Sequence, residues 1–314
     1  MFDEVIDSLS FSTQFEAEVA DIGDIKHSAI PFSNSNFVQF SNDTKGKIAF
    51  IDGGNAEILK SPNFSLQVCR VAYVVFENGK RIDQQRHEFF VLVNVVDGKF
   101  VASTFGEDLK FSFDLNDKHF KTGLSQGTPS SVVSAIRRFS ELKLASKINA
   151  DVIVLDGSLQ QTYPFEDQFL KELRNKEVVG FCKTSSLLTK SGNSVVALMN
   201  LHPGKFAYYP VAFLLDDSYK ASICFARLHE KSKYVFKLDF MKEVNHKVLG
   251  LLSENSMDPV FLGYPYGLVL ADKLARVTNE EADYYRTKFV SKIKNDDLLR
   301  YLNALNAHDV LDNI

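Results

Sequence analysis

Two apolar runs that each end in Asp-Gly constrain this chain more than anything else in it: Lys47-Ile-Ala-Phe-Ile-Asp52-Gly53-Gly54 and Asp151-Val-Ile-Val-Leu-Asp156-Gly157-Ser158-Leu159. Near-continuous apolar runs closed by turn residues are the pattern of strands covered on both faces of an α/β sheet, and such sheets gather ligands at the carboxyl ends of their strands. A single Asp-Gly is also an ordinary turn, the Asp bonding local backbone and the Gly accepting positive φ. What joins the two runs is the segment Ser130–Lys147, with Val133, Ile136, Leu144 and the following Ile148 at helical spacing after a Ser/Thr/Pro-rich start. Glu141 falls near the edge of that apolar stripe, so the spacing predicts a third carboxylate turned toward the sheet. Gathered acids repel and raise one another's pKa unless cations share the site. Asp52, Glu141 and Asp156 together therefore suggest a divalent-metal site with hard oxygen ligands.

The rest of the chain supplies a scaffold for that site. Residues 1–45 read as a helical and irregular lead-in, a possible docking segment, and 46–314 as the main domain. Strands are expected at Lys47–Asp52, Leu66–Glu77 and Asp83–Val96, the last two joined by Asn78-Gly79-Lys80, a strong hairpin signal. A polar connection over Ser103–Gly127 precedes a helix at 130–148, a strand at 151–155, a helix near 165–174 and a strand at Glu177–Lys183. That order, βββαβαβ with acids on the first strand, the following helix and the fourth strand, is the layout of an α/β ribonuclease H-like mixed sheet flanked by helices, with its core at about 46–190. Strands at Val195–Leu201, Ala207–Leu215, Ile223–Leu228 and Tyr234–Leu238 read as a β-rich insertion (about 193–240). Helices near 241–255, 266–277 and 280–294 then close the chain (about 241–300).

Composition excludes several classes. In 314 residues, 45% hydrophobic and 24% charged, there is enough apolar material for one elaborated domain. No apolar run of about 18 residues occurs, and the first residues are acidic where a secretory signal would be basic, so a cytoplasmic protein is expected. Cys69, Cys182 and Cys224 form no CxxC pair and read as reduced core thiols. A net charge of −4 advertises no basic face for nucleic acid. Arg137, Arg138, Lys143 and Lys147 cluster on one helix and read first as a solvated face. No GxxxxGK[ST] loop is present, so ATP hydrolysis through a Walker motif is not expected.

Taken in order, Ile48-Ala-Phe-Ile-Asp52-Gly53-Gly54, Arg137-xxx-Glu141-xxx-Ala145, Val154-Leu-Asp156-Gly157-Ser158-Leu159, Gly180-Phe-Cys-Lys183-Thr-Ser185 and Gly263-Tyr264-Pro265-Tyr-Gly-Leu-Val-Leu-Ala271-Asp272 resemble the NurA nucleases. These archaeal and bacterial enzymes work with the hexameric DNA translocase HerA. The resemblance implies a metal-dependent DNA nuclease, with 5′–3′ exonuclease and single-strand endonuclease activity, acting as a homodimer on a HerA-type ring in DNA end resection at double-strand breaks. It makes Asp52, Glu141, Asp156 and Asp272 ligands of Mn²⁺ or Mg²⁺, two ions in all. Gly54 stands where the family pattern is expected to carry serine. For Asp272 the alternative is a helix-surface residue pairing with Lys273 or Arg276.

Around these acids, Lys183 either meets the scissile phosphate or is a strand-end lysine in water. Arg70 and Arg137 are candidate contacts to the DNA backbone, Arg137 otherwise pairing with Glu141 at helical spacing. Tyr264 either stacks on a base or is a core aromatic. The competing functional reading is a non-catalytic DNA-binding scaffold of the same translocase complex. A different ribonuclease H-like enzyme is disfavoured by the late Tyr-Pro-Tyr and Ala271-Asp272 segment.

Overall fold

The structure is a computed structural model and describes residues 2–8, 13–23, 27–42, 45–121, 126–214 and 222–305. Its strands are β1 (His27–Ala29), β2 (Phe37–Val38), β3 (Lys47–Ser61), β4 (Phe64–Glu77), β5 (Lys80–Val96), β6 (Lys99–Phe105), β7 (Lys110–Asp114), β8 (Val152–Asp156), β9 (Val178–Cys182), β10 (Phe206–Tyr208), β11 (Ala212–Leu214), β12 (Ser222–Arg227) and β13 (Phe236–Phe240). The helices are α1 (Phe2–Ser8), α2 (Pro129–Lys147), α3 (Glu166–Glu172), α4 (Val195–Asn200), α5 (His246–Glu254), α6 (Tyr266–Ala275), α7 (Asn279–Val290) and α8 (Asp296–Leu305). Among the described residues, no helix is long and apolar enough to cross a membrane.

A sheet of order β2-β10-β12-β13-β9-β8-β3-β4-β5-β6-β7 runs through the molecule. Its centre is parallel, β3 with β8 and β8 with β9, and both wings are antiparallel. This is the mixed α/β arrangement expected from the sequence. Alternation along the central strands divides the core in two. Ala49, Ile51, Ile153 and Leu155 pack against Val133, Ile136 and Phe139 of α2. Ile48, Phe50, Val152 and Val154 pack against Val248 and Leu252 of α5 and Leu268 and Ala271 of α6. Each large side chain buried this way contributes about 1.5–3 kcal/mol, so both helical layers are held to one sheet.

Local chemistry explains the elements. Thr128 caps α2 in a reciprocal capping box with Ser131, and Pro129 opens the first turn. Asn78 and Gly79 both take positive φ, 51° and 75°, which lets the β4–β5 hairpin turn in two residues. Asp97 and Gly98 repeat the device between β5 and β6.

Several expectations are corrected. The first strand does not stop at Asp52 but continues through Gly53 and Gly54 to Ser61, paired with β4 throughout except for an irregularity near Glu57. Glycine is required there by close approach rather than by a turn. A Cβ on Gly53 would collide with Glu141 Oε1, and one on Gly54 would lie 2.5 Å from the Ala275 carbonyl oxygen. The Ser103–Gly127 connection contains the end of β6 and all of β7. Val195–Asn200 is helical (α4), capped by Ser194, with Leu201 as its C-cap, and the strand expected at Ala207–Leu215 is divided, within its described residues, into β10 and β11 around Tyr209-Pro210, Leu215 lying outside the described residues. Of the strands in 193–240, β10, β12 and β13 extend the central sheet through the β13–β9 pairing, whereas β11 pairs with β1 in a separate two-stranded sheet. From the lead-in, Ala20 and Phe32 are buried against Phe206, Tyr208 and Phe225, whereas Phe2, Val5 and Ile6 of α1 are exposed.

Gly267 is where α6 crosses Phe50, since an added Cβ would enter the Phe50 ring. Gly267→Ala is expected to destabilise the protein by about 1–3 kcal/mol, the usual cost of overpacking. Denaturant melts measure this, and an unchanged midpoint would contradict the packing described.

Candidate active site

The parallel register sets the first two acids side by side. Ile51 pairs with Leu155, and the next residues along the two strands are Asp52 and Asp156. Beyond this point the strands part company: β8 ends because Gly157 takes φ +98°, while β3 continues. Glu141 reaches the same place from α2 through the space left by Gly53. Asp52, Glu141 and Asp156 line one cleft of about 270 Å³ with Ser134, Arg137, Arg138, Ser158 and Tyr163 among its walls.

Basic side chains hold two of these acids. Arg137 Nη1 lies 3.0 Å and Arg138 Nη1 3.5 Å from opposite oxygens of Glu141. Lys183 Nζ lies 2.5 Å from Asp156 Oδ2. Burial alone would lower the Lys183 pKa, but its bond to Asp156 and the charges of Asp156, Asp52 and Asp272 raise it, so the ammonium persists. Among the described residues, no cation is bonded to Asp52. It is 7% exposed and accepts a hydrogen bond from the Gly53 N–H at 2.7 Å. Burial, followed by the neighbouring charges of Asp156 and Glu141, pushes its acid up to about 8.

The other expected residues have diverse placements. Arg70 is corrected from a DNA contact to an internal strut. It is 4% exposed, with Nε 2.6 Å from Glu88 Oε2, Nη2 2.7 Å from Glu281 Oε1, and Nη1 donating to the Arg276 carbonyl at 2.8 Å. Arg137 donates inward, to Glu141 and to the Gly53 carbonyl. The Tyr264 ring packs edge to face with Phe181 and Phe236, at centroid separations of 5.4 and 5.6 Å, the core-aromatic alternative weighed for it from the sequence. Its hydroxyl, however, is buried without a hydrogen-bond partner. Burial and the charges of Asp156, Asp52 and Asp272 raise its pKa. Asp272 pairs with Arg276, Oδ2–Nη2 2.7 Å, one helical turn away, the alternative weighed for it from the sequence. Among the described residues, no three His, Cys, Asp or Glu side chains converge tightly enough to form a ready cage for a cation.

Sequence reasoning passed over the buried charge around the acids. Arg138, read as part of a solvated face, bonds Glu166 (Nε–Oε1 3.1 Å) and the Ser158 carbonyl (Nη2–O 2.7 Å). Glu166 is fully buried and accepts from the Thr162 and Tyr163 amides at 2.7 and 3.0 Å. The three-residue spacing from Arg138 to Glu141 was the available signal.

The sequence model of the NurA domain matches residues 46–277. The structure is similar to that of the NurA nuclease from Sulfolobus solfataricus, at 16% identity, 82% coverage of this chain, 87% of that one and a TM-score of 0.52. It is less similar to endonuclease V from Ciona intestinalis (12% identity, 77% and 91% coverage, TM-score 0.39) and to the catalytic domain of human endonuclease V (13%, 81% and 92%, 0.38). No curated protein matches by sequence.

The raised Asp52 acid makes stability depend on pH. An unfolded aspartate ionises near pH 4, whereas the folded protein keeps its proton to about 8. Between these values the folded state binds the extra proton, so this group's contribution is full below pH about 4 and is lost as pH rises toward 8. In EDTA, Asp52→Asn should therefore lose less stability than the wild type across that window and melt at higher temperature at pH 8. Parallel melting-temperature profiles for the two proteins would contradict this assignment.

Proposed function

The chain belongs to the NurA family, and from that premise we propose that it is a DNA nuclease that cleaves phosphodiester bonds at the Asp52–Glu141–Asp156 cleft. One observation carries the reading. Acids from β3, α2 and β8 meet in a single cleft, with Asp52 buried beside the other two at an acid pKa of about 8. Such an acid burdens the fold unless a cation takes up its charge, and all-oxygen donors suit hard divalent ions. Asp52, Glu141 and Asp156 would hold Mn²⁺ or Mg²⁺, two ions in all, with Asp272 as a fourth carboxylate on the flank. When bound, the ions would supply activation of water and charge stabilisation at the leaving oxygen.

The remaining chemistry belongs to the chain. Arg137 and Arg138 orient Glu141 by gripping different oxygens. Lys183 is the cation next to Asp156, and an ammonium in that position suits the charge that develops on a scissile phosphate. Among the described residues the Tyr264 hydroxyl has no acceptor, which leaves its proton for a group arriving beside the acids. Family membership extends the proposal to a cytoplasmic homodimer acting with a HerA-type hexameric translocase in DNA end resection, as 5′–3′ exonuclease and single-strand endonuclease. The absence of a Walker loop from the sequence supports an external source of motive energy.

End-labelled double- and single-stranded DNA tests this with Mn²⁺, Mg²⁺ or EDTA. Cutting should require a divalent ion and fall by about 100-fold or more in folded Asp52→Ala and Asp156→Ala, since even partners of metal ligands lose 10–100-fold on mutation. Asp272→Asn should lose less than either. Cutting in EDTA, or undiminished cutting by Asp52→Ala, would sink the assignment. Inactivity with every metal, even with the translocase added, would favour a DNA-binding scaffold.

A further inference from the structure

The turn after Asp156 is tied down from a strand that none of the site motifs covers. On β13, Lys237 and Asp239 form an ion pair, Nζ–Oδ1 2.6 Å, with side chains only 10% and 1% exposed. Removing two charges from water is expensive, and a buried pair often adds less stability than an apolar pair of the same volume. Stability alone is therefore a poor account of it. The second Asp239 oxygen reaches out of the pair: Oδ2 accepts from Ser158 Oγ at 2.5 Å and from the Leu159 amide at 3.1 Å.

Geometry allows this because the intervening residue is glycine. Asp239 lies opposite Gly180 in the β13–β9 register. A Cβ on Gly180 would lie 2.6 Å from the Gly157 carbonyl oxygen and 2.9 Å from the Leu159 nitrogen. The turn thus passes over Gly180 to meet Asp239. Two further bonds fix it, from the Gly157 amide to the Phe181 carbonyl at 2.8 Å and from Arg138 Nη2 to the Ser158 carbonyl at 2.7 Å. The Asp156 side chain hangs from the first residue of this clamped segment.

We propose that Asp239 is a positioning residue for cation binding: through Ser158 and Leu159 it fixes the peptide after Asp156, so that the Asp156 carboxylate faces a divalent ion beside Asp52 and Glu141. Lys237 pins the opposite oxygen of Asp239 and so sets its orientation. The inference rests on the metal-dependent reading of the cleft. Residues that orient metal ligands typically cost about 10–100-fold in metal affinity when lost.

Calorimetric titration with Mn²⁺ and thermal melting of the full chain, run side by side, test it on the wild type, Ser158→Ala, Asp239→Asn and the double variant Lys237→Met/Asp239→Leu. Ser158→Ala removes one hydrogen bond and leaves the ion pair whole, so it stays readable if the Asp239 variants do not fold. The expected result is Mn²⁺ binding about tenfold weaker in Ser158→Ala and weaker still in folded Asp239 variants. DNA cleavage should fall in step at limiting Mn²⁺ and recover as Mn²⁺ saturates. Wild-type Mn²⁺ affinity in Ser158→Ala and in the folded double variant, whatever their melting temperatures, overturns the positioning role alone. A wild type that binds no Mn²⁺ overturns the reading of the cleft and this inference with it.

Discussion

An ionisable acid at the middle of a covered sheet is costly, and the placement of Asp52 organises what surrounds it. The strand carrying it is covered by α2 on one face and by α5 and α6 on the other. Its neighbours across the cleft are two more acids, so burial and repulsion both favour the protonated form. The fold answers this with basic groups set one step away: Arg137 and Arg138 on Glu141, and Lys183 on Asp156. None of the three forms a bond to Asp52 itself. The result is a cleft whose flanking acids are paired with basic groups and whose central acid keeps its proton, a proton that a bound cation would displace.

Close approach of backbone makes that cleft possible. Gly53 admits the Glu141 carboxylate, Gly54 admits the end of α6, and Gly267 lets α6 cross Phe50. At Gly54 a serine in the family pattern would need α6 to stand further off, because the Ala275 carbonyl already occupies the space of its Cβ. The Arg70 strut reinforces the same junction by joining β4 to Glu88, Glu281 and the Arg276 carbonyl. A buried guanidinium is costly unless its donors are paired, and Glu88, Glu281 and the Arg276 carbonyl take bonds from all three of its nitrogens.

The central parallel strands, the helix between them and the convergence of Asp52, Glu141 and Asp156 were legible because each rests on local periodicity with a strong apolar signal. The hairpin at Asn78-Gly79 was legible from turn chemistry. Asp97-Gly98 carries the same chemistry, so β6 was within reach of the same argument. The helix at Val195–Asn200 was not, since a short apolar run with two valines looks like a strand and only its Ser194 cap distinguishes it. The surroundings of Arg70 and Tyr264 were not legible for a different reason. Their partners lie far away in sequence, Glu281 for one and Phe181 and Phe236 for the other, and no spacing rule reveals such pairing. Asp272 sits between these cases, its bond to Arg276 being a local helical pair.

On this proposal the acids of β3, α2 and β8 hold divalent cations. Crystals grown with Mn²⁺ and measured for its anomalous signal test it most directly. Density is expected in the cleft within about 2.0–2.6 Å of the Asp52 and Asp156 carboxylates, with Glu141 beside it and Lys183 withdrawn from Asp156. A cleft without anomalous density at saturating Mn²⁺, with Lys183 still seated on Asp156, would contradict it.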